Sequence, residues 1–243
     1  MTQQSAPAKP QRRTQAERSE TMRRRLIEAT LICLARDGYV GTTFSQIITE
    51  AGVSRGAPLH HFPTKAALIE AAAEQLMRNL YARLGESIAD LVGSTDRLGD
   101  MIMASWKQLS ASQDSVALLE LTLASRRDPE LAEIMKRIGR AGFDALDIAA
   151  QHYFEPLAPD VNPIEYFVMT HWLIQGMAIG QNLLPDAAVQ QHFLALWSSL
   201  MGQHLRPRPG VTVPPPRPQF WLKPKDHDGS KKLIKIDKFA TFA

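Results

Sequence analysis

The sequence predicts an all-α fold of about nine helices. Apolar residues recur at helical spacing from about residue 17 to residue 205, and no stretch alternates as a β-strand does. Glycine, proline and capping residues divide this region at the intervals expected of consecutive helices. The hydrophobic content of 44% is ordinary for a globular protein, so most of the chain should fold.

The first two helices are predicted from the residues at their ends. The first should run from about residue 17 to residue 37 and stop at Gly38, because glycine commonly ends helices. Thr43 and Gln46 have the spacing of a capping box, in which each side chain binds the free backbone amide of the other residue. This box predicts a short second helix that ends near Gly52.

The remaining helices begin at capping residues or at proline. Ser54 can cap a third helix that continues to about His61, and Thr64 can cap a long fourth helix that continues to about Leu84. Proline is tolerated in or just before a first turn, as at several of the later starts. Further helices are predicted near residues 96–110, 115–126, 129–154, 163–183 and 185–205.

Charge is distributed unevenly along the chain. Residues 1–65 hold ten Lys and Arg against five Asp and Glu, residues 66–205 hold nine against seventeen, and residues 206–243 hold nine against three. A basic head can face a polyanion that an acidic body repels. Chance asymmetry is the alternative explanation of the charge pattern taken alone.

Composition argues against several classes of protein. The single cysteine, Cys33, excludes an internal disulfide and a multi-cysteine metal site. No apolar run approaches the roughly 20 residues of a membrane span, and the polar residues 1–10 lack the apolar stretch of a signal peptide. We therefore expect a cytoplasmic protein that uses no cofactor and no membrane partner.

The segment from Thr42 to Leu68 carries the functional signal. A short helix, a turn at Gly52 and a second short helix form a helix-turn-helix, whose second helix is slim enough for the major groove of DNA. Ser54 and Arg55 open that helix, where free amides and the positive end of the helix dipole suit phosphate. The pattern predicts a basic disordered arm (1–16), a helix-turn-helix domain (17–66), a helical domain (67–205) and a Pro-rich, basic, disordered tail (206–243).

Two further residues favour DNA binding over a plain helical hairpin. Lys65 lies in the first turn of the fourth helix, where the dipole disfavours a cation, so a phosphate partner would explain it. Gly56 has no side chain, so DNA can approach its backbone closely. The arginines at positions 12, 13, 18 and 23–25 are additional candidates for contacts with phosphate or the minor groove.

This segment and the first helix together resemble the TetR family of one-component regulators. The resemblance rests on Gly38-Tyr39, Ile47, Leu68 and the runs 26–31, 42–44, 51–57 and 60–65. It implies a three-helix DNA-binding domain, a helical ligand domain and a homodimer formed through the last two helices, residues 163–205. Such a dimer would repress transcription from a palindromic operator in double-stranded DNA, with half-sites about one helical turn apart. A small apolar or aromatic effector would release it.

Family positions assign expected contacts with DNA. Thr43 and Lys65 should contact phosphate, Arg55, Gly56 and His60 should face the groove, and His61 should bind the backbone. The chain departs from the family at two positions that follow Gly56.

The first departure is Pro58, where an apolar residue is usual. Proline lacks the amide that would bond back to Ser54, so the recognition helix should begin late or have an irregular first turn. The second is Leu59, where the family has a tyrosine that contacts DNA. Leucine cannot bind phosphate through a hydrogen bond, but it can touch a thymine methyl group.

The carboxyl-terminal region contains candidates for a ligand pocket, which is typically apolar with a few polar anchors. Methionine and aromatic residues at helical spacing also form ordinary cores, so either role is open for each position. A polar group on an apolar helix needs a partner, which favours His171, Gln175 and Trp106. The candidate ligand-binding residues are Met103, Trp106, Phe143, His171, Trp172 and Gln175.

Two other functions compete with that of a ligand-controlled regulator. An all-helical enzyme with a DNA-binding module is disfavoured, because metal-binding, phosphate-binding and nucleophile motifs are missing from the sequence. The histidine pair at positions 60 and 61 has no cysteine or carboxylate at ligand spacing, so we expect no metal site. A DNA-binding architectural protein that responds to no ligand remains the second alternative.

Overall fold

A computed structural model describes residues 14–216 with the exception of residues 55, 57–59, 90, 92, 182, 184, 212 and 214. The expected all-α architecture is confirmed, and four of the eight residues of the predicted third helix, 55 and 57–59, lie outside the described set. The described helices are α1 (Gln15–Gly41), α2 (Phe44–Ala51), α3 (Lys65–Ala89), α4 (Arg97–Ala111), α5 (Gln113–Ala124), α6 (Pro129–Tyr153), α7 (Pro163–Gly180) and α8 (Ala187–Gly202). Two short strands, β1 (Phe154–Pro156) and β2 (Leu205–Pro207), complete the fold.

Helix α1 begins earlier than predicted. The Glu17 amide donates to the Thr14 hydroxyl at 3.2 Å, and the Thr14 amide donates to the Glu17 carboxylate at 2.7 Å. This reciprocal capping satisfies two free amides, so residues 14–16 belong to the helix end and not to a disordered arm. At the other end Gly38 has a φ of 71° and a ψ of 177°, which interrupts the helical conformation at the predicted stop.

Two hydrophobic cores hold the helices together. The first contains fully buried residues of α1, α2, α3 and α5, including Leu34, Ile47, Leu76 and Leu121, and the amino-terminal half of α6 also packs there. The second joins α4, α7 and α8 to the carboxyl-terminal half of α6. The first core therefore continues past residue 66, the predicted end of the helix-turn-helix domain.

The strands were not predicted, because three residues are too few to show alternation. They pair antiparallel, with Phe154 opposite Pro207 and Pro156 opposite Leu205. The chain then stays on the body, since the Arg208 amide donates to the Tyr153 carbonyl at 2.8 Å. The prediction that the tail is unpacked from residue 206 is therefore wrong for its first residues, while residues 217–243 lie outside the described set.

None of the described helices combines the length and the apolar character that crossing a lipid bilayer requires.

Candidate functional site

The amino-terminal helix-turn-helix is fixed by local interactions that the sequence encodes. The Gln46 amide donates to the Thr43 hydroxyl at 3.3 Å, and the Thr43 amide donates to the Gln46 side chain at 2.9 Å. This confirms the predicted capping box. Helix α2 ends at Gly52, whose left-handed φ of 61° turns the chain after a single short helix.

The turn after α2 leaves an outward surface. Ile47 and Phe62 are buried beneath it, whereas Ser54, Gly56 and His60 are exposed. A Cβ atom placed on Gly56 would meet nothing within 4 Å, so a partner can approach its backbone.

Half of the predicted groove-facing surface is described. His61 is partly buried and Thr43 is exposed. Arg55, Pro58 and Leu59 lie outside the described residues, so the contacts expected of Arg55 and Leu59 and the irregular first turn expected from Pro58 remain predictions.

Two arginines of α1 stabilise the helix-turn-helix through contacts with other residues of the chain. Arg25 donates from Nη2 to the Ala51 carbonyl at 2.7 Å, at the end of α2. The guanidinium carbon of Arg23 lies 4.5 Å from the centre of the Phe62 ring, within the range of a cation–π interaction. These side chains therefore position the turn, a role that their charge alone did not indicate.

Lys65 also has partners inside the protein. Its Nζ atom donates to the Tyr39 carbonyl at 3.3 Å and lies 4.6 Å from the centre of the Tyr39 ring. Burial lowers the pKa of Lys65, and the nearby Asp128 carboxylate opposes that shift. These internal partners explain a lysine in this first turn, so its position there is no longer an argument for a phosphate partner. A phosphate contact from Lys65 remains a prediction from the family position.

Tyr39 connects the helix-turn-helix to the body. Its hydroxyl donates to the Asp128 carboxylate at 2.8 Å, and Asp128 also caps α6 by accepting from the Leu131 amide at 3.0 Å. Burial and the hydrogen bond to Asp128 raise the pKa of Tyr39 to about 12. The start of α3, the end of α1 and the start of α6 therefore meet in one polar cluster.

A cavity lies in the body between α3, α4, α5, α6 and α7. Its empty volume is about 700 Å³, part of which is open to solvent. Among the residues that the structure describes, fourteen line it, nine of them apolar and none an Asp, Glu, Lys or Arg. The polar lining residues are Tyr81, Ser105, Gln108, Thr170 and His171. Burial lowers the pKa of the His171 imidazole.

The structure places only one of the predicted ligand-binding residues, His171, in the wall of this cavity. Trp106 is buried in the second core. Phe143 and Trp172 are exposed, with 37% and 60% of their surface accessible. Met103 and Gln175 are partly buried and do not line the cavity either. A ligand-binding role for these five residues stays a prediction, and this cavity does not support it.

Helix α3 supplies the part of the wall that sequence reasoning missed. Met77, Leu80, Tyr81 and Leu84 line the cavity together. They occupy positions i, i+3, i+4 and i+7, which share one helical face. This spacing in the sequence could have indicated that the four side chains line one site.

Helices α7 and α8 present an apolar surface in the single chain. Ile179, Phe193, Leu196 and Leu200 are each at least 43% exposed, together with Trp172. Exposed apolar residues grouped on neighbouring helices are typical of a surface that another protein covers. Within the described part of the chain, no three His, Cys, Asp or Glu side chains are grouped so as to hold a metal ion.

Comparison with known proteins identifies the amino-terminal region. Residues 26–72 match the bacterial regulatory proteins of the tetR family. The HTH-type transcriptional regulator CymR of Pseudomonas putida is 38% identical over 128 residues, which span 53% of this chain and 63% of CymR. The chain thus spans less than two thirds of that relative.

Two further matches cover most of the chain. The uncharacterized HTH-type transcriptional regulator Rv2912c of Mycobacterium tuberculosis is 25% identical over 191 residues, or 78% of this chain and 97% of that protein. The crystal structure of a transcriptional regulator from Rhodococcus sp. Rha1 shares the fold, with a TM-score of 0.58 and 22% identity over 79% of this chain and 99% of that one. Residues 26–72 of this chain therefore belong to the tetR family of bacterial regulatory proteins.

Proposed function

We propose that the chain is a transcriptional repressor that binds a palindromic operator in duplex DNA as a homodimer and is released by a small apolar molecule. The observation that carries the proposal is the capped, arginine-braced helix-turn-helix, which presents Gly56 and His60 to solvent. It belongs to a segment, residues 1–65, that holds ten Lys and Arg against five Asp and Glu. An exposed and positively biased helical unit suits the major groove. Such a protein works in the cytoplasm, where the DNA is.

The apolar surface of α7 and α8 supports a homodimer. Two copies that cover this surface would form a four-helix interface. A two-fold axis would place two helix-turn-helix units side by side, which matches an operator whose half-sites lie about one helical turn apart.

Helix α3 supports control by a ligand. It begins at Lys65, beside the helix-turn-helix, and one of its faces lines the cavity through Met77, Leu80, Tyr81 and Leu84. A ligand that favours one position of α3 would change the spacing of the two DNA-binding units. It can shift this equilibrium only by the difference between its affinities for the two arrangements.

The test begins with selection of genomic DNA fragments by the purified protein. The proposal predicts a shared near-palindrome with half-sites about one turn apart, and a measurable loss of affinity for it in His60→Ala. Gln113→Ala, on the exposed start of α5, is the matched control and should leave binding unchanged. Fragments that share no motif would contradict the proposal.

A second measurement separates a ligand-controlled repressor from an architectural DNA-binding protein. A compound that binds only the folded state raises the melting temperature. A compound library should therefore contain molecules that both raise the melting temperature and release the selected duplex. Specific DNA binding that no stabilising compound weakens would favour the architectural alternative.

A further inference from the structure

The polar side chains in the cavity wall differ in how far their hydrogen-bonding capacity is used. Ser105 donates from its hydroxyl to the Met101 carbonyl at 2.8 Å. Thr170 donates to the Tyr166 carbonyl at 2.7 Å and accepts from the indole of Trp197 at 2.8 Å. Both hydroxyls therefore form hydrogen bonds within their own helix or with a neighbouring helix, and their donor protons are not available to a ligand.

The other two non-histidine polar residues are also engaged. Tyr81 donates from its hydroxyl to the Gly142 carbonyl across the α3–α6 contact. Gln108 donates from its amide nitrogen to the Arg83 carbonyl at 2.8 Å. Buried polar groups are normally paired in this way, so these residues stabilise the wall.

His171 differs from these four. Among the described residues, it lines the cavity without a hydrogen-bond partner. It lies on the cavity face of α7 together with Phe167, Thr170 and Ile174, which line the same space. Burial lowers the pKa of its imidazole, which keeps the ring neutral near pH 7. A neutral imidazole has one N–H donor and one nitrogen acceptor.

The rest of the wall limits what can bind to this group. A carboxylate or ammonium taken into an apolar cavity needs an opposite charge to offset its lost hydration. None of the described residues that line the cavity is an Asp, Glu, Lys or Arg. A hydroxyl carries no charge and can donate to one ring nitrogen or accept from the other.

We infer that the effector is a neutral, mostly apolar molecule with one hydroxyl group, a phenol or an aryl alcohol, and that His171 recognises this hydroxyl. The inference rests on the proposed ligand control and adds the chemical class of the ligand and the residue that selects it. The apolar walls would hold the body of the molecule, and flexible Met77 and Met101 side chains can adapt to its shape.

The test compares four probes of similar shape: 4-butylphenol, butylbenzene, 4-butylbenzoate and 4-butylbenzylammonium. Their affinities are measured by calorimetry with the full chain, with His171→Phe and with the control Gln175→Leu. His171→Phe keeps an aromatic ring and removes both hydrogen-bonding atoms. Gln175 lies on the same helix and outside the cavity wall. Melting curves establish that the variants fold.

We expect the unmodified protein and Gln175→Leu to bind 4-butylphenol about tenfold more tightly than butylbenzene, as one well-placed hydrogen bond allows. His171→Phe should remove this difference and leave the affinity for butylbenzene unchanged. Tighter binding of the benzoate or the ammonium, or an equal loss of both neutral probes in His171→Phe, would overturn the inference. If none of the four probes bound, the inference would also be overturned.

The outcomes distinguish this inference from the proposed function. Binding without preference for the hydroxyl, accompanied by release of the selected DNA, would refute recognition by His171 and leave ligand control standing. Failure of the protein to select any DNA sequence would refute the proposed function. Calorimetry would still show whether the protein prefers the phenol, so the recognition by His171 is tested separately.

Discussion

The helix-turn-helix and the helices around the cavity are stabilised by different kinds of interaction. In the first region, reciprocal caps at Thr14 and Thr43, positive-φ glycines at 38 and 52 and the Arg25 brace set the backbone. In the second, apolar packing dominates and leaves both a cavity and an apolar outer face. A backbone fixed by local polar contacts suits a partner of constant shape, whereas an apolar wall can accept a variable small molecule.

The largest expected effect concerns the outer face of the second region. Phe193→Glu places a charge on the apolar surface of α8, where half of the phenylalanine is exposed in the single chain. We expect the dimer to dissociate and operator affinity to fall by about a hundredfold or more, because the two half-sites are no longer bound together. Analytical ultracentrifugation of the variant measures the mass of the particle and so distinguishes a monomer from a dimer.

Val116→Glu is the control for this variant, because Val116 is exposed on α5, away from α7 and α8. It should leave the dimer intact. If Phe193→Glu also stayed dimeric, the interface would lie elsewhere.

The next prediction compares the filled core with the cavity along one helix. Leu76 of α3 is fully buried in the first core, whereas Leu80, one turn later, is partly buried and lines the cavity. Leu76→Ala should lower the free energy of unfolding by about 2–5 kcal/mol. Leu80→Ala should cost about 1 kcal/mol, because the Leu80 side chain is only partly buried and has less packing to lose. Urea unfolding measures both, and equal losses would contradict this account of the cavity.

A smaller effect is expected at glycines. Gly38 has a φ of 71°, and an added Cβ would lie 2.9 Å from the Glu120 carboxylate. Gly38→Ala should destabilise the protein by about 1–3 kcal/mol because this backbone region is nearly restricted to glycine. Gly139, inside α6, has open space around an added Cβ, so Gly139→Ala should stabilise by about 0.5–1 kcal/mol. Thermal unfolding measures both changes in stability, and changes of the same sign for the two substitutions would contradict this prediction.

The smallest effect concerns the cluster that joins the two regions. The Leu131 amide and the Tyr39 hydroxyl, which both donate to Asp128, hold its pKa below the ordinary value of 3.8. The resulting stabilisation is present above that ordinary value and is lost as the pH falls through the lowered one.

Asp128→Asn should therefore be modestly less stable than the parent protein at pH 7, and the gap should close in acid. The control Glu130→Gln, on the exposed side of the same turn, should follow the parent. A gap that stays constant with pH would show that the carboxylate charge contributes nothing.

The two regions also differed in how well the sequence predicted them. The Thr43–Gln46 box, the break at Gly38 and the turn at Gly52 were predicted correctly because each depends on residues close together in the chain. The five later helices were also placed to within about three residues of their ends, since proline and polar caps mark their starts.

Features that depend on distant residues were missed. The β1–β2 pair joins residues about fifty positions apart, and the contact of Lys65 with Tyr39 depends on how α1 meets α3. Which face of each apolar helix lines the cavity is likewise decided by packing, so His171 was identified and Tyr81 was not. The rule that a polar residue on an apolar helix needs a partner selected His171, but it also selected Trp106 and Gln175, which do not line the cavity.

The most direct test of the coupling between the two regions is the affinity of the dimer for its selected operator duplex, measured at fixed salt with and without a saturating ligand of the cavity. The account predicts that a bound ligand weakens this affinity at least about fivefold, the lower end of typical allosteric coupling. An unchanged affinity, with calorimetry showing the cavity filled, would contradict it.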